Sequence, residues 1–537
     1  MPSPTEIEYL RSKEQRYRLY FVKWDSYQIR QTFPLLSDAS VDPPTLKYLG
    51  TKTEDDFETI VNIGSNRLAF VDEPIEFDCS RSFRIHNGSI TGPPFWEWED
   101  SGSGGTSTDT ELSISWDTPG LYKITCTYDG GIAERYVRVL QDRQASAYDV
   151  IALSGVSSGL SGGAQSQITI APQDNLGQDS LPVSIGDFQA VGIFIEEEWF
   201  SGSHWHNHPI GGFSDPTLLL SGYVDTSSVS IDANTHNVSF TISSIADMMG
   251  KVNVFGTQTW NKDYLDADQN LTAPALPNPP QGVVLDLSAN MVMPDVITYW
   301  LQKYTNVLKR HDFSTWWDNS QQELDTISTN EGDLWSAFSG LASNEFAWFF
   351  ADAGGGIHFE PNPMIRSTGW FEDTYDIPYE ITDVDLLNVQ VQVKKMREVI
   401  WVQIIGTRVR DGKQWTARYP SDTPKSGVGQ WQTIQGISVS RQSFLDSIVD
   451  NIYKDANRKI SATLTMPLNR AFTVPDRITV TLIDPDKNVN WNAKEFYIQQ
   501  ISYSMNPADA TWQTSLSIIE TIPTHTLEFG GSGYVVV

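Results

Sequence analysis

Apolar and polar residues alternate with the period of β-strands along most of this 537-residue chain, and helical periodicity is confined to three segments. The helical stripes lie at 294–310, 330–341 and 443–457. This pattern predicts a mainly β fold with α+β parts: β-sandwich and barrel domains together with a helix-and-hairpin α/β segment. At roughly 150 residues per domain, the length predicts three or four domains.

Turn signals and shifts in composition divide the chain, most clearly at the proline-rich stretch 273–280. Within the N-terminal segment, the aromatic strand 17–24 pairs either with the core or with a neighbouring subunit. The expected units are an N-terminal β segment (1–66), a small β-sandwich (67–141), an acidic β-domain (142–280), an α/β helix-hairpin domain (281–370), a β-barrel or sandwich with one helix (371–525) and a flexible C-terminal tail (526–537).

Each helical stripe has candidate end signals. Pro294 suits the first turn of the helix over 294–310, Asn330 is the expected N-cap of the second, and Ser443 is the expected N-cap of the third. A glycine-rich turn, Asp352 to Gly356, follows the second helix and predicts a hairpin.

The predicted sandwich resembles a PKD domain, an immunoglobulin-like module. The resemblance rests on the tryptophan strand at 96–102 and on the run 116–124, with its Pro-Gly turn and Tyr-x-Ile strand. Cys79 and Cys126 occupy inward positions of facing strands with that tryptophan strand between them, the arrangement of the immunoglobulin inter-sheet disulfide. Two interpretations remain: a disulfide, or two buried thiols, which synthesis in a reducing cytoplasm favours.

The order of the remaining parts resembles the baseplate hub and tail-associated (late-control-D-like) proteins of tailed bacteriophages and related contractile injection systems. The strongest matches are the helix and hairpin at 334–361, the segment 458–467 and the turn 474–476. The resemblance implies a homotrimer in the virion tail, assembled in the host cytoplasm. It would join the tail tube and distal tail to tip or spike proteins and surround the channel through which DNA and the tape-measure protein leave.

Two sequence patterns are candidates for chemistry. His204, His206 and His208 alternate, so a strand would place three imidazoles on one face, which is a Zn²⁺ or Ni²⁺ motif; a polar loop is the competing interpretation. Gly155 to Gly159 fits the G-x-S-x-G pattern of serine hydrolases, but no helix follows, so we interpret it as a linker. We therefore predict no catalytic residues, no cofactor and no enzymatic activity.

The formal charge of −30 argues against a basic nucleic-acid-binding surface. The acidity is concentrated at 151–300, where fifteen carboxylates face only two cations, Lys251 and Lys262. A channel wall of this kind would let DNA pass without specific binding. No apolar run is long enough to span a bilayer.

Two other functions are considered besides the structural one. A receptor-binding protein or adhesin would contact cell-surface glycans through the PKD-like domain, and a tail-tip enzyme would degrade peptidoglycan. Aromatic residues such as Trp96, Trp98 and Trp348 suit either a sugar-stacking platform or core packing.

Overall fold

A computed structural model provides the structure of the chain, and most of the sequence is described in it. The described residues are 16–24, 48–52, 59–84, 90–99, 104–142, 148–160, 163, 165–172, 189–198, 216–251, 253–254, 258–261, 283–287, 297, 301, 305–314, 326–329, 332–362, 365, 379–393, 398–407, 413–424, 429–439, 441–458, 460–484, 489–506, 511–521, 528–529 and 535–536. The mainly β class with several sheets and few helices is confirmed.

Sixteen strands fall in the first half of the described chain. They are β1 (Arg16–Lys23), β2 (Tyr48–Lys52), β3 (Thr59–Ile60), β4 (Arg67–Phe70), β5 (Ile75–Asp78), β6 (Phe83–Arg84), β7 (Phe95–Trp98), β8 (Gly105–Ser107), β9 (Glu111–Ile114), β10 (Gly120–Tyr128), β11 (Gly131–Leu140), β12 (Tyr148–Gly159), β13 (Gln165–Pro172), β14 (Ala190–Glu198), β15 (Thr217–Ile231) and β16 (Val238–Ser243).

The remaining strands of the described chain lie beyond residue 250. They are β17 (Asn253–Val254), β18 (Gln258–Asn261), β19 (Val283–Leu287), β20 (Phe313–Ser314), β21 (Thr326–Thr329), β22 (Gly332–Asp333), β23 (Ala347–Ala351), β24 (Ile357–Pro361), β25 (Glu380–Thr382), β26 (Asn388–Val393), β27 (Val399–Thr407), β28 (Gln414–Tyr419), β29 (Gln430–Ser438), β30 (Ile460–Pro467), β31 (Arg477–Asp484), β32 (Val489–Asn506), β33 (Thr511–Glu520), β34 (Glu528–Phe529) and β35 (Val535–Val536).

Helices are few. The α-helices whose bounds the structure describes are α1 (Ile245–Met249), α2 (Val307–Arg310), α3 (Leu334–Asn344) and α4 (Gln442–Ala456). Among the described residues, no helix is both long and apolar enough to cross a membrane.

A closed six-stranded barrel forms the first large unit. Its order is β1-β14-β15-β16-β13-β12, and β1 returns to β12 through the pairing of Tyr20 with Asp149. Strand β1 is buried on both faces, because Leu19 and Phe21 point into the barrel core while Tyr20 packs outside it. The N-terminal aromatic strand therefore pairs with the core of its own chain, along β14.

A second set of six strands continues the same sheet. Its order is β25-β31-β32-β33-β30-β26, and β32 pairs antiparallel with β12 of the first barrel. One hydrophobic cluster contains side chains from both sets, for example Ile168 from the first and Leu516 from the second. The two units thus form one twelve-stranded sheet with a continuous core.

In sequence, a smaller two-sheet unit lies between β1 and the other strands of the first barrel. The order β4-β11-β10-β7-β8 forms one sheet, β5 and β9 form the other, and both contribute to a single core. Trp96 and Trp116 are fully buried there and donate their indole N–H groups to the carbonyls of Asp109 and Glu99. An apolar contact between Tyr20, Phe70 and Tyr136 joins this two-sheet unit to the barrel.

The first two helical segments differ in detail from their predictions. Ile297 and Leu301 are helical and fully buried as expected, but Thr305 and Asn306 interrupt the helix before α2 begins. The N-cap of α3 is Asp333, not Asn330: its carboxylate accepts the backbone N–H of Ser336 at 2.8 Å. The Asp333 carboxylate binds an otherwise unpaired amide of the first turn, which explains the later start.

Helix α4 packs on one face of a three-stranded sheet ordered β28-β27-β29. The expected inner residues Leu445, Ile448 and Ile452 are buried. The helix begins earlier than predicted, because Arg441 is the N-cap and Ser443 lies inside the first turn. No side-chain cap bond is present at Arg441, so packing of the apolar face on the sheet stabilises this helix start.

Candidate functional site

The turn between β23 and β24 is the point where three parts of the fold meet. Asp352 closes this turn, since its carboxylate accepts the N–H of Gly356 at 2.7 Å. Gly355 has a φ of +84°, and a Cβ there would lie 3.1 Å from His311 Nδ1. Only glycine adopts this backbone conformation at little cost, so the Gly-Gly-Gly sequence shapes a narrow tip.

Each side of this tip contacts a different unit. Ser221 on barrel strand β15 donates its backbone N–H to the carbonyl of Ala353 at 2.7 Å. His311, just after α2, hydrogen-bonds the Gly355 carbonyl at 2.9 Å. A Cβ at Gly354 would lie 2.8 Å from Ser65 Oγ at the edge of the two-sheet unit. We call this meeting point the three-way junction.

Arg135 on β11 is the central cation of the three-way junction. Its side chain is only 1% exposed, and it pairs with the carboxylate of Asp312. Its other N–H groups donate to the backbone carbonyls of Gly64, Glu134 and Lys309. Because every part of the guanidinium is hydrogen-bonded, this buried charge stabilises the attachment of the two-sheet unit to the segment after α2.

Asn62 makes a second attachment at the three-way junction. Its side-chain amide donates to the carbonyls of Arg81 and Phe313, both at 3.1 Å, and its oxygen accepts the N–H of Phe313 at 3.0 Å. Asp312 accepts the backbone N–H of the neighbouring Ile63 at 3.3 Å. The side chains of Asn62 and Asp312 thus supply hydrogen-bond partners to backbone N–H and C=O groups that would otherwise be buried without one.

A ladder of charges continues along the surface beside Arg135. Arg310 lies 3.1 Å from the carboxylate of Glu134, which is also 3.0 Å from Lys123 Nζ. Arg310 also donates to the hydroxyl of Tyr136 at 2.6 Å and stacks over its ring, 5.1 Å from the centroid. These partly exposed pairs contribute less than the buried Arg135 pair.

His358 carries a positive charge within the three-way junction. One ring nitrogen lies 2.8 Å from Asp352 Oδ2 and the other 3.0 Å from Glu360 Oε1, while the ring stacks on Phe350 at 4.8 Å. Burial alone would lower the pKa of His358, but hydrogen bonds to the two carboxylates outweigh it and raise the pKa to about 10. The imidazole is therefore a fixed cation at neutral pH.

His311, by contrast, is uncharged at neutral pH. Burial, followed by the nearby positive charge of Arg135, lowers the pKa of His311 to about 3. One nitrogen hydrogen-bonds Gly355 and the other lies 2.9 Å from the hydroxyl of Tyr223. Burial raises the pKa of the Asp312 carboxyl, and this effect outweighs the attraction of Arg135, which lowers the pKa.

These side chains surround a cleft of about 340 Å³, lined also by Asn66, Arg81 and Ser221. Both ring nitrogens of His311 and of His358 are occupied by hydrogen bonds. His358 is already protonated at neutral pH, so it does not accept a proton there, and the two nitrogens of His311 are engaged by Gly355 and Tyr223. The geometry fits a rigid polar joint between units.

The sequence singled out other residues as candidate sites. His204, His206 and His208 lie outside the described residues, so the metal motif stays a prediction. Within the described part of the chain, no group of three or more His, Cys, Asp or Glu side chains has an arrangement that could hold a metal ion. The linker interpretation of Gly155 to Gly159 was wrong: this run is the end of β12. A Cβ at Gly155 would lie 2.5 Å from the Gln165 carbonyl, so glycine permits close strand approach there.

Cys79 and Cys126 are both fully buried, and both are free thiols in this structure. The hydrogen bond with Cys79 and burial raise the pKa of Cys126. Cys79 also donates to the carbonyl of Thr110 at 3.3 Å. The pair faces into the core of the two-sheet unit, as its inward positions in sequence predicted.

Two further expectations concern aromatic and acidic residues. Trp96 is a core residue and no sugar-stacking platform. Glu196, in the acidic stretch, is fully buried and accepts a hydrogen bond from the Tyr20 hydroxyl at 2.6 Å, so it cannot line a channel. Eight of the fifteen carboxylates lie outside the described residues: Asp174, Asp179, Asp187, Asp215, Asp263, Asp266, Asp268 and Asp295.

The junction residues were not recognised in sequence, apart from the glycine turn itself. Arg135 and Asp312 are 177 positions apart, and each occurs in an ordinary local context. Local periodicity carries no signal for such a pair, because it reports only which face of a strand or helix is buried.

Structural comparison aligns the chain with several solved structures of tail proteins. A tail protein from Neisseria meningitidis MC58 has 10% sequence identity, with a TM-score of 0.43 over 80% of this chain and 97% of that one. The 43 kDa tail protein of prophage MuSo2 from Shewanella oneidensis also has 10% identity and a TM-score of 0.43, over 80% and 98% of the two chains. Prophage tail protein gp18 from Listeria monocytogenes EGD-e has 8% identity and a TM-score of 0.39, over 70% and 89%. No protein-family model and no curated protein matches the sequence.

Proposed function

We propose that this protein is a structural hub of a phage-type tail, located at the tail tip. It would assemble as a homotrimer around the tail axis and join the tail tube and distal tail to the tip or spike proteins. The tape-measure protein and the genome would leave through the channel that the trimer surrounds. The order of sequence segments that resembles baseplate hub proteins motivates this proposal.

The observation that carries the proposal is the twelve-stranded sheet. One chain contains two six-stranded units, and direct backbone pairing of β12 with β32 joins them. Three copies would therefore place six such units around an axis. A continuous hydrogen-bonded wall of this kind suits a ring that must remain closed while other components attach above and below it.

The three-way junction supports the same role. A buried ion pair and backbone hydrogen bonds hold the two-sheet unit against the segment after α2. An apolar contact at Tyr20, Phe70 and Tyr136 holds it against the barrel. Such a joint gives the two-sheet unit one fixed orientation. We infer that this unit, which resembles a PKD domain, projects from the ring as an interface to neighbouring tail proteins.

The acidic stretch would face the channel in the trimer. Asp232, at the tip of the β15–β16 hairpin, is an exposed member of this stretch. Carboxylates on the inner wall would repel the phosphates of the passing genome, so that DNA moves without specific contacts.

A cryo-electron microscopy map of the assembled particle, together with native mass spectrometry of the purified protein, tests the proposal. We expect three chains in a closed ring, with the 151–300 segments inside. A protein that stays monomeric at assembly concentrations and is missing from purified tails would contradict it. A trimeric ring with these segments on the outside would refute only the acidic-channel part.

A further inference from the structure

The sheet formed by β27, β28 and β29 has one face that α4 leaves open. On this outward face Trp431 is 60% exposed, and it is the only exposed large apolar side chain on the sheet among the described residues. Exposure of an indole to this extent is uncommon in a folded protein, since tryptophan buries more area than any other side chain.

The ring of Trp431 packs against a neighbouring tryptophan. It lies opposite Trp401 on the neighbouring strand β27, with the rings edge to face and their centroids 6.1 Å apart. Trp401 is 6% exposed and donates its indole N–H to the carbonyl of Ser421 at 2.9 Å. The Trp401 ring therefore packs against one side of the Trp431 ring, which remains largely exposed to solvent.

The next positions on the same face carry hydrogen-bonding groups. Gln403 on β27 lies opposite both Arg418 on β28 and Thr433 on β29. Arg418 Nε donates to Gln403 Oε1 at 3.0 Å, and Arg418 is exposed while Gln403 is partly exposed. Gln435 continues the exposed row along β29.

The charge of this face differs from that of the chain as a whole. The outward residues alternate along the three strands and contain one cation and no carboxylate, although the chain has a net charge of −30. They are Trp401, Gln403, Ile405, Thr416, Arg418, Trp431, Thr433 and Gln435. The face is thus suited to a neutral or anionic ligand.

We propose that this face, which we call the Trp431 platform, is a carbohydrate-binding site for β-linked pyranosides with equatorial substituents. Such sugars expose a flat face of C–H groups that packs on an indole ring, while their hydroxyl and acetamido groups reach the rim. At the Trp431 platform, Gln403, Arg418 and Thr433 supply donors and acceptors beside the ring. An exposed aromatic ring packs its face on apolar ligand surface, and the neighbouring polar groups would hydrogen-bond the ligand at the rim.

A protein partner fits this surface less well. Stable protein interfaces bury roughly 800 Å² on each side and have an apolar centre. The Trp431 platform offers a single exposed apolar side chain, surrounded by amide, hydroxyl and guanidinium groups. The proposal is also independent of the hub function, because it concerns the surface of one chain.

Titration calorimetry of the full-length protein with two hexasaccharides tests the proposal. One probe is the β-1,4-linked hexamer of N-acetylglucosamine, and the other is the α-1,4-linked hexamer of glucose, whose curved chain lacks an extended flat face. We expect binding of the first and much weaker binding of the second. The Trp431→Ala variant should lose about tenfold or more in affinity, while Trp431→Phe retains part of it.

A matched control is Phe95→Ala, which removes another exposed aromatic ring, 42% exposed, from the two-sheet unit. It should bind the β-linked hexamer as the wild type does, and an unchanged thermal midpoint of Trp431→Ala would show that the fold is intact. Failure to bind the β-linked probe, or equal affinity of wild type and Trp431→Ala, would overturn the proposal. If Trp431→Ala instead binds the sugar normally but fails to enter assembled particles, the platform is a protein interface.

Discussion

His358 Nε2 lies 2.8 Å from Asp352 Oδ2, so the imidazole and the residue that shapes the hairpin turn form one ionic unit at the three-way junction. Glu360 on the other side of the ring completes a carboxylate-imidazolium-carboxylate arrangement. The turn that contacts the barrel, the segment after α2 and the two-sheet unit therefore depends on a proton that the unfolded chain would release near neutral pH.

This proton makes stability depend on pH. The folded state holds it up to about pH 10, whereas an unfolded histidine releases it near its usual pKa of about 6.5. The contribution of His358 is thus complete below pH 6.5 and is lost as the pH rises towards 10. Urea unfolding at pH 7 and pH 9 should show a decline that His358→Gln reduces, by up to about 1.4 kcal/mol per pH unit.

His311→Gln is the control for that pH dependence. The pKa of His311 is lowered to about 3, so its effect falls on the acid side, where the unfolded chain takes up a proton that the folded state does not. This variant should leave the decline between pH 7 and pH 9 unchanged. Equal slopes for wild type and His358→Gln would mean that His358 is not a fixed cation.

Removal of Arg135 should release the two-sheet unit. Arg135→Met leaves the Asp312 carboxylate without its cation, and breaking a buried pair in this way costs about 3–5 kcal/mol. The lower end applies here because the Asp312 side chain is 30% exposed. Limited proteolysis and the first thermal transition measure the effect.

The partly exposed ion pair between Lys123 and Glu134, beside Arg135, provides the comparison. The Lys123 side chain, which pairs with Glu134, is 33% exposed. Lys123→Ala should therefore lower the free energy of unfolding by less than about 1 kcal/mol. The double variant Arg135→Met with Asp312→Asn should recover part of the loss, since no uncompensated charge then remains. A wild-type proteolysis pattern for Arg135→Met would show that the apolar contact alone holds the unit in place.

Gly355→Ala tests the shape of the hairpin tip. A left-handed backbone costs an L-residue about 1–2 kcal/mol, and the new methyl group would press on His311 Nδ1 at 3.1 Å. Gly340→Ala is the matched control, because Gly340 lies inside α3 with nothing within 4 Å of the added Cβ. That change should stabilise the protein by about 0.5–1 kcal/mol. Chemical denaturation distinguishes the two signs, and a stabilising Gly355→Ala would contradict the conformation given for the tip.

The two cysteines should react as thiols only after unfolding. Cys79 and Cys126 are fully buried, so a thiol reagent such as dithionitrobenzoate should label neither in the native protein and both in denaturant. A reductant should leave the thermal midpoint unchanged. Two unreactive cysteines in non-reducing denaturant would instead reveal a disulfide.

The strands and core were largely predictable because alternation directly reports burial. The aromatic strand predicted at 17–24, for example, overlaps β1 (Arg16–Lys23). Glycine-rich segments misled the prediction, since Gly155 to Gly159 occurs in a strand where close packing requires glycine. The cap of α3 was displaced by three residues because both Asn330 and Asp333 are good N-cap residues, and sequence alone does not choose between them.

The ion pair at the centre of the site could not be predicted from local sequence patterns. The residues around Arg135 in sequence give no sign of its partner, Asp312. The carboxylates on His358 come from its own hairpin, whereas the pKa of His311 is lowered by burial and then by Arg135, which a distant segment supplies. Such pairings are set by tertiary packing.

Strand β12 pairs with β13 along most of its length and with β32 over its second half, while Asp149 near its start lies opposite Tyr20 of β1. A tensile force applied to either six-stranded unit would therefore reach the other through shear of the same row of hydrogen bonds. The two units should yield at one common force in a single-molecule pulling experiment, because that row of hydrogen bonds joins them without a compliant element between them.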